Sequence, residues 1–329
     1  MIGKYNIKIY NKYITYNFEI KRKYTIIRGN SASGKSYADY LVGENLRISS
    51  VKCDVPVISL SVNIEVWKDL LQRRNNSIIF IDEDFPYINS NDFINELLKS
   101  DNYFVIISRK NFDSIPYSYK EIYTLQSNKN FSNIETVLFP LYNDDFKVIK
   151  PDIIITEDSN SGFNFFKRLS EKYDFMCESA KGKNNIKKFL LDLDYLKNKT
   201  VLFIVDGSAF GSNIIDILNI INDFDNIYIY APESFEFLIL KAGAFKVSNN
   251  ILEETYNYHD INIINKLCNT DKKKIIQSWE QTYTEILNGL SLSYTNNIAY
   301  TKSKLKEYYF KYTDDIIDIL NKDGIILGR

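Results

Sequence analysis

The stretch Tyr24-Thr25-Ile26-Ile27-Arg28, running without a break into Gly29-Asn30-Ser31-Ala32-Ser33-Gly34-Lys35-Ser36, decides the reading of this sequence. Five residues of strand-forming character lead into a G-x-x-x-x-G-K-S loop, and a helix-compatible run follows. Glycines and small residues let successive backbone N–H groups curl around an anionic phosphate, while the positive end of the helix dipole adds attraction. Within the loop, Lys35 would reach the β- and γ-phosphates of a nucleoside triphosphate. Ser36 would offer its hydroxyl to Mg²⁺, a hard cation that prefers oxygen ligands.

Further along the chain, Ser77-Ile78-Ile79-Phe80-Ile81-Asp82-Glu83 is an apolar strand ending in two carboxylates, the form of a Walker B segment. Asp82 is expected to hold the magnesium through water, and Glu83 to orient or deprotonate the attacking water. Ser108, ending the strand that begins at Tyr103, is a candidate γ-phosphate sensor, with Arg109 beside it as a phosphate contact.

Around these motifs, strand-like runs at Tyr24–Arg28, Val55–Leu60, Ser77–Ile81 and Tyr103–Ser108 alternate with helical stretches at Lys35–Arg47, Val62–Arg73 and Asn91–Lys99. That alternation predicts α/β organisation with a parallel sheet. Apolar runs at Asp152–Thr156, Thr200–Val205 and Asn226–Tyr230, each preceding a helical pattern, predict a second α/β domain. The Asn-, Ser- and Asp-rich stretch Gln126–Asp145 and the segment Pro140–Pro151 read as the connection. Helical spacing without strand signal follows, in Ile263 and Leu267 and later in Leu305, Tyr308, Ile316 and Leu320. The expected divisions are therefore 1–147, 148–250 and a helical region over 251–329.

With 329 residues, 45% apolar and 25% charged, the chain is long enough for more than one core, and no stretch approaches the roughly 18 apolar residues of a membrane span. Met1–Tyr10 alternates like a strand and lacks the apolar core of a secretion signal, so a cytoplasmic location and no membrane partner are expected. Cys53, Cys177 and Cys268 are too scattered for a zinc ribbon or redox pair, and His259 is the single histidine. Acid, base and metal chemistry must therefore fall mainly on carboxylates, Lys, Ser and Tyr. A net charge of −1 supplies no global pull towards nucleic acid, and the 25 tyrosines are read as compositional bias rather than as base-stacking platforms.

By Gly29–Ser36, Asp82 and Glu83, roughly residues 1 to 125 resemble the P-loop NTPases of the additional-strand, catalytic-glutamate type. There is no L-S-G-G-Q segment of an ABC ATPase and no N-K-x-D that would confer guanine preference. The resemblance thus implies ATP with Mg²⁺, and hydrolysis rather than transfer to a small acceptor.

In the second domain, Ile153-Ile154-Ile155-Thr156-Glu157, then Cys177-Glu178-Ser179-Ala180-Lys181-Gly182, then Val201–Val205 ending in Asp206-Gly207-Ser208 follow the order of a Toprim domain. This metal-binding module of topoisomerases, primases and OLD-family nucleases has a Glu after its first strand and Asp-x-Asp after its third, holding Mg²⁺ for phosphodiester chemistry. The resemblance carries those metal roles to Glu157 and Asp206, and the family's central glycine to Gly182. Ser208 stands where the second aspartate belongs, which weakens a hard-cation site; Glu233, or Glu236 after it, is the candidate replacement. The layout resembles OLD-type ATPase-nucleases and uncharacterised proteins of bacterial mobile elements, with a shorter ATPase portion.

The resulting expectation is an ATPase whose nucleotide state gates a Toprim-like domain acting on DNA or RNA. Its alternatives are a non-cutting nucleotide-dependent switch that binds a nucleic acid or protein partner and, third, a small phosphotransferase. Oligomeric state and the role of the helical region are left open.

Overall fold

The structure is a computed structural model, and it describes residues 1, 3–30, 33–130, 133–140, 148–191, 198–246 and 279–327. Contacts divide the chain into two compact units, whose described residues run from 1 to 140 and from 148 to 327. Both are α/β. His259, Cys268 and the helical spacing at Ile263 and Leu267 lie outside the described residues, as do Ser31 and Ala32.

The first unit is built on nine strands: β1 (Tyr5–Tyr10), β2 (Ile14–Ile20), β3 (Tyr24–Ile27), β4 (Ser50–Lys52), β5 (Val57–Ser59), β6 (Ile78–Ile81), β7 (Tyr103–Ile107), β8 (Ile122–Asn130) and β9 (Asn133–Pro140). They form one sheet in the order β4-β1-β2-β9-β8-β3-β7-β6-β5. From β8 through β3, β7 and β6 to β5 every pairing is parallel, and β3, β6 and β7 are buried along their whole length. Burial on both faces is why these three read as unbroken apolar runs. Each fully buried Ile or Phe there contributes about 1.5–3 kcal/mol of transfer free energy.

The expected parallel sheet is corrected to a mixed one, because β8 pairs β9, and β1 pairs both β2 and β4, in antiparallel fashion. The β8/β9 pair also corrects the connection expected from Gln126. Leu125 faces Leu138 across it and both pack on the core, while Ser127 Oγ bonds Thr136 Oγ1 at 2.9 Å. Gln126, Ser127 and Asn128 are all exposed, so this part of the strand needs no apolar residues and its polar composition concealed it.

Helices α1 (Lys35–Gly43), α2 (Trp67–Arg73) and α3 (Asn91–Lys99) complete this unit. α1 stops at Gly43, four residues short of the expected Arg47, where a Cβ would meet Val62 Cγ1 at 2.7 Å. α3 keeps its expected bounds and is capped by Ser90, whose hydroxyl accepts from the Phe93 N–H at 3.2 Å.

The second unit holds a four-stranded, wholly parallel sheet of β10 (Ile153–Thr156), β11 (Met176–Ser179), β12 (Val201–Ile204) and β13 (Ile227–Tyr230), ordered β11-β10-β12-β13. Around it are α4 (Ser161–Ser170), α5 (Lys183–Leu191), α6 (Gly211–Ile221) and α7 (Phe235–Lys241). The C-terminal helices α8 (Trp279–Tyr294), α9 (Glu307–Phe310) and α10 (Thr313–Lys322) belong to the same compact unit, with α8 and α10 both packed on α7. After β10 the chain moves outward to β11, and after crossing back to β12 it moves outward the other way to β13. The boundary between β10 and β12 is therefore a topological switch point, where a parallel sheet opens a crevice at the carboxyl ends of its strands.

Candidate functional site

In the first unit the loop after β3 enters α1 through Gly34, whose φ of 85° lies in the left-handed region open to glycine. No side chain caps α1, and its first turn carries no acid, so the amides that begin the helix keep their capacity for an anion. Tyr16, from β2, donates its hydroxyl to the Gly34 carbonyl at 2.9 Å and steadies this turn from below.

Lys35, only 7% exposed, donates through Nζ to the carbonyls of Gly29 and Asn30, each at 2.7 Å, and to Ser33 Oγ at 3.0 Å. The ammonium thus rests inside the loop on carbonyl oxygens, and a phosphate would offer it stronger, charged acceptors. Burial lowers its pKa; Glu83 and Asp82 oppose that shift and Arg109 adds to it. The two strand-end acids are therefore electrostatic neighbours of the loop lysine, while Ser36 sits exposed on the first turn of α1.

Asp82 leaves the end of β6 almost fully buried, at 6% exposed. Its Oδ1 accepts from the Asp84 N–H at 3.2 Å, while Oδ2 is buried with no hydrogen-bond partner. A buried carboxylate oxygen left open costs roughly 1–3 kcal/mol, and a cation beside it would remove that cost. By this test Asp82 fits as a ligand of a magnesium ion, and the Ser36 hydroxyl of the loop motif would be the second protein-side oxygen.

Glu83 and Arg109 were separate expectations, and the structure brings them together. Arg109 Nε lies 2.9 Å and Nη2 2.6 Å from Glu83 Oε1, and the Arg109 N–H donates to Oε2 at 3.1 Å. These hydrogen bonds from Arg109, ahead of the opposing effect of burial, hold the Glu83 carboxyl below its usual pKa and hence anionic. Arg28 links the loops after β3 and β7, donating to the carbonyls of Arg109 at 3.4 Å and Lys110 at 3.0 Å and to Asn111 Oδ1. Ser108 is buried, and its Oγ accepts from the Lys110 N–H at 3.0 Å, so it braces this turn.

Sequence reading overlooked Asp39, one helical turn beyond Lys35. It is 2% exposed, its Oδ2 accepts from Ser61 Oγ and its Oδ1 has no hydrogen-bond partner. Its carboxyl is raised by burial, against which Ser61 and Ser59 act, with Asp82 adding to the rise. The i, i+4 spacing from Lys35 was the signal that could have found it.

In the second unit, Glu157 and Asp206 leave the ends of β10 and β12, the two strands flanking the switch point. Glu157 Oε2 accepts from the Asp206 N–H at 3.0 Å. Gly207 then lets the chain press on the turn after β13: its N–H donates to the Pro232 carbonyl at 2.7 Å, and a Cβ would stand 2.5 Å from the Ala231 carbonyl oxygen. Gly182 donates to the Glu157 carbonyl at 2.7 Å.

Glu157, Asp158, Asp206 and Glu236 all line one crevice with Lys302. Glu233 is not among its lining residues; its carbonyl accepts from the Ser208 N–H at 3.2 Å, and Glu236, 1% exposed, takes the inward place. Burial raises the Glu157 carboxyl to about 7 against the Asp206 amide bond, with Glu280 adding to the rise. Asp206 is pushed well above the usual range by burial and by the charges of Glu280, Glu157 and Glu236, while Lys302 opposes.

Lys302, Tyr300 and Glu280 had no role in the sequence reading, because nothing in spacing announces contacts such as those of Tyr300, 64 positions from Glu236 and 139 from Ser161. Lys302 Nζ is ion-paired with Glu280 and stands 3.9 Å from Asp206 Oδ2. Tyr300 donates to Glu236 Oε1 at 2.6 Å and meets Ser161 Oγ at 2.6 Å, and the Ser161 N–H donates to the Lys302 carbonyl at 3.0 Å. Among the described residues, no three acidic, histidine or cysteine side chains converge closely enough to hold a metal ion. With Ser208 in place of a carboxylate and Lys302 among the acids, these residues do not fit the divalent-ion site that the Toprim resemblance implies.

Comparison with known proteins finds no matching family model, no matching curated protein and no matching solved structure.

Proposed function

We propose that the first unit binds ATP with Mg²⁺ and hydrolyses it, as a P-loop NTPase of the additional-strand type, and that its nucleotide state governs what the second unit does with nucleic acid. The observation carrying the first part is Asp82 Oδ2, buried and without a partner in the unit that also holds Lys35 and the uncapped start of α1. Strand order supports it: β7 lies between the loop strand β3 and the acid-bearing strand β6, the place of an additional strand.

In this reading the α1 amides and Lys35 receive the phosphates, and Ser36 and Asp82 hold the ion. Magnesium bound there would neutralise charge developing on the β- and γ-phosphate oxygens. Glu83 would orient the attacking water once its oxygens leave Arg109, because in the present arrangement both oxygens accept from that residue. Glu83→Gln should keep ATP binding and lower turnover by about a hundredfold or more; turnover unchanged in that variant would remove Glu83 from the mechanism.

For the second unit, a nucleic-acid-directed Toprim-like role has the switch-point acids Glu157 and Asp206 in its favour. A second reading, in which this unit recognises a nucleic acid or protein partner without cutting it, is favoured by Ser208 and by Lys302 among the acids. Supercoiled plasmid incubated with ATP and Mg²⁺ separates them: cleavage lost in Asp206→Ala selects the first, and intact plasmid with continuing ATP turnover selects the second.

A further inference from the structure

The loop before α1 has different neighbours on its two sides. Strand β3, which delivers it, lies between β7 and β8 in the sheet. Towards β7 and β6 stand Asp82, Glu83 and Arg109, the groups suited to a γ-phosphate and its ion. Towards β8, and past it β2 and β1, the neighbours are of another kind. A Cβ at Gly29 would lie 3.3 Å from Thr124 Oγ1 of β8, and Tyr16 of β2 bonds the Gly34 carbonyl. Asn11, at the turn between β1 and β2, donates through Nδ2 to the Tyr37 hydroxyl at 3.1 Å. A nucleoside triphosphate carries its base at the end opposite its γ-phosphate. With the γ end at Asp82 and Glu83, the base leaves the loop on the side of β8, β2 and β1.

On that side Tyr37, the residue after Ser36, is 40% exposed, and Tyr40, one turn further along α1, is 47% exposed. Their rings stack with centroids 5.9 Å apart and planes 24° apart, so Tyr40 backs one face of Tyr37. The Tyr37 ring is also fixed in direction, because the Asn11 side chain that holds its hydroxyl is itself anchored: Oδ1 accepts from the N–H groups of Tyr13 and Ile14 at 2.9 and 3.0 Å. Tyr13, the other exposed ring at this turn, has the Lys12 ammonium 4.5 Å from its centroid and so has a face already covered. We propose that Tyr37, backed by Tyr40 and oriented by Asn11, is the platform on which the base of a purine nucleoside triphosphate stacks. The proposal rests on the nucleotide reading of the first unit and adds to it where the base goes and how it is read. A ring face imposes no donor or acceptor pattern, since every base has a π-face, so this subsite takes adenine and guanine alike. A platform held in place before the ligand arrives spares the cost of ordering it on binding.

The test is calorimetric titration of the full chain, in Mg²⁺, with ATP, GTP and inorganic tripolyphosphate, which has the phosphates without a base. Tyr37→Ala should weaken ATP and GTP by about tenfold each and leave tripolyphosphate within about twofold. Tyr37→Phe, which keeps the ring face, should bind all three within about threefold of the unsubstituted chain. Unchanged ATP affinity in Tyr37→Ala would overturn the platform while leaving the nucleotide site standing. Equal losses of ATP and tripolyphosphate would overturn it too, by showing that Tyr37 shapes the loop rather than meeting the base. A loss for ATP without one for GTP would overturn recognition through the ring face. Failure of the nucleotide reading itself looks different: the unsubstituted chain would then bind neither ATP nor tripolyphosphate.

Discussion

Asp82 in the first unit and Asp206 in the second occupy the same kind of place, the carboxyl end of an inner parallel strand, yet their surroundings differ. Asp82 has a buried oxygen with no partner, beside a helix start with no capping side chain and a lysine resting on carbonyl oxygens. Asp206 has Lys302 within 3.9 Å, and its neighbour Glu236 is bonded to Tyr300. The first arrangement leaves polar groups open to an anion and a cation from outside. The second meets most of its acids with groups of the same chain. Residue type alone, an acid ending a strand, does not separate the two; the state of the acid's oxygens does.

Substituting the two lysines should give the largest contrast. Lys35→Ala is expected to weaken ATP binding about a hundredfold, or ~3 kcal/mol, whereas Lys302→Ala should leave it within about twofold. Titration with a fluorescent ATP analogue reads both, and equal losses would erase the distinction drawn here. For stability the order reverses. Lys302→Met strands several acids in the crevice and should cost about 2–3 kcal/mol in chemical denaturation, below the figure for a fully buried pair because its side chain is 35% exposed.

The acids of the second unit also predict a pH dependence. The Glu157 carboxyl is raised by burial from 4.5 to about 7 in the folded chain, so between those values the native state binds more protons than the unfolded one. Its contribution is therefore fully present below pH 4.5 and is lost as pH rises towards 7, by on the order of 3 kcal/mol. Denaturation at pH 5 and 7.5 should show that fall, and Glu157→Gln should make it smaller, with Asp206, also raised by burial, carrying part of what remains. The smallest effect is expected at the exposed pair of the first unit, where Arg109→Ala should leave the denaturation midpoint almost where it was. A larger loss would mean that the pair holds the fold rather than the position of Glu83.

The first unit was the more legible of the two. Its inner strands β3, β6 and β7 are buried on both faces and so carry continuous apolar runs, and the loop motif follows one of them directly. The pairing of β8 and β9 was hidden because Gln126, Ser127 and Asn128 are all exposed and so carry no apolar alternation, which makes them look like a linker. The pairing of Glu83 with Arg109 was hidden because each is locally an ordinary strand-end residue, and only the adjacency of β6 and β7 brings them together. In the second unit Glu157 and Asp206 could be read from strand ends, but Lys302, Tyr300 and Glu280 come from the far end of the chain. Contacts of that separation leave no periodicity to read.

The most direct test of the central claim is an ATP titration, with and without Mg²⁺, of the unsubstituted chain and of Asp82→Asn. The account predicts that Mg²⁺ tightens ATP binding in the unsubstituted chain, and that Asp82→Asn loses this gain while still binding ATP alone. An unsubstituted chain that binds no ATP, or an Asp82→Asn variant that keeps the full magnesium effect, would contradict it.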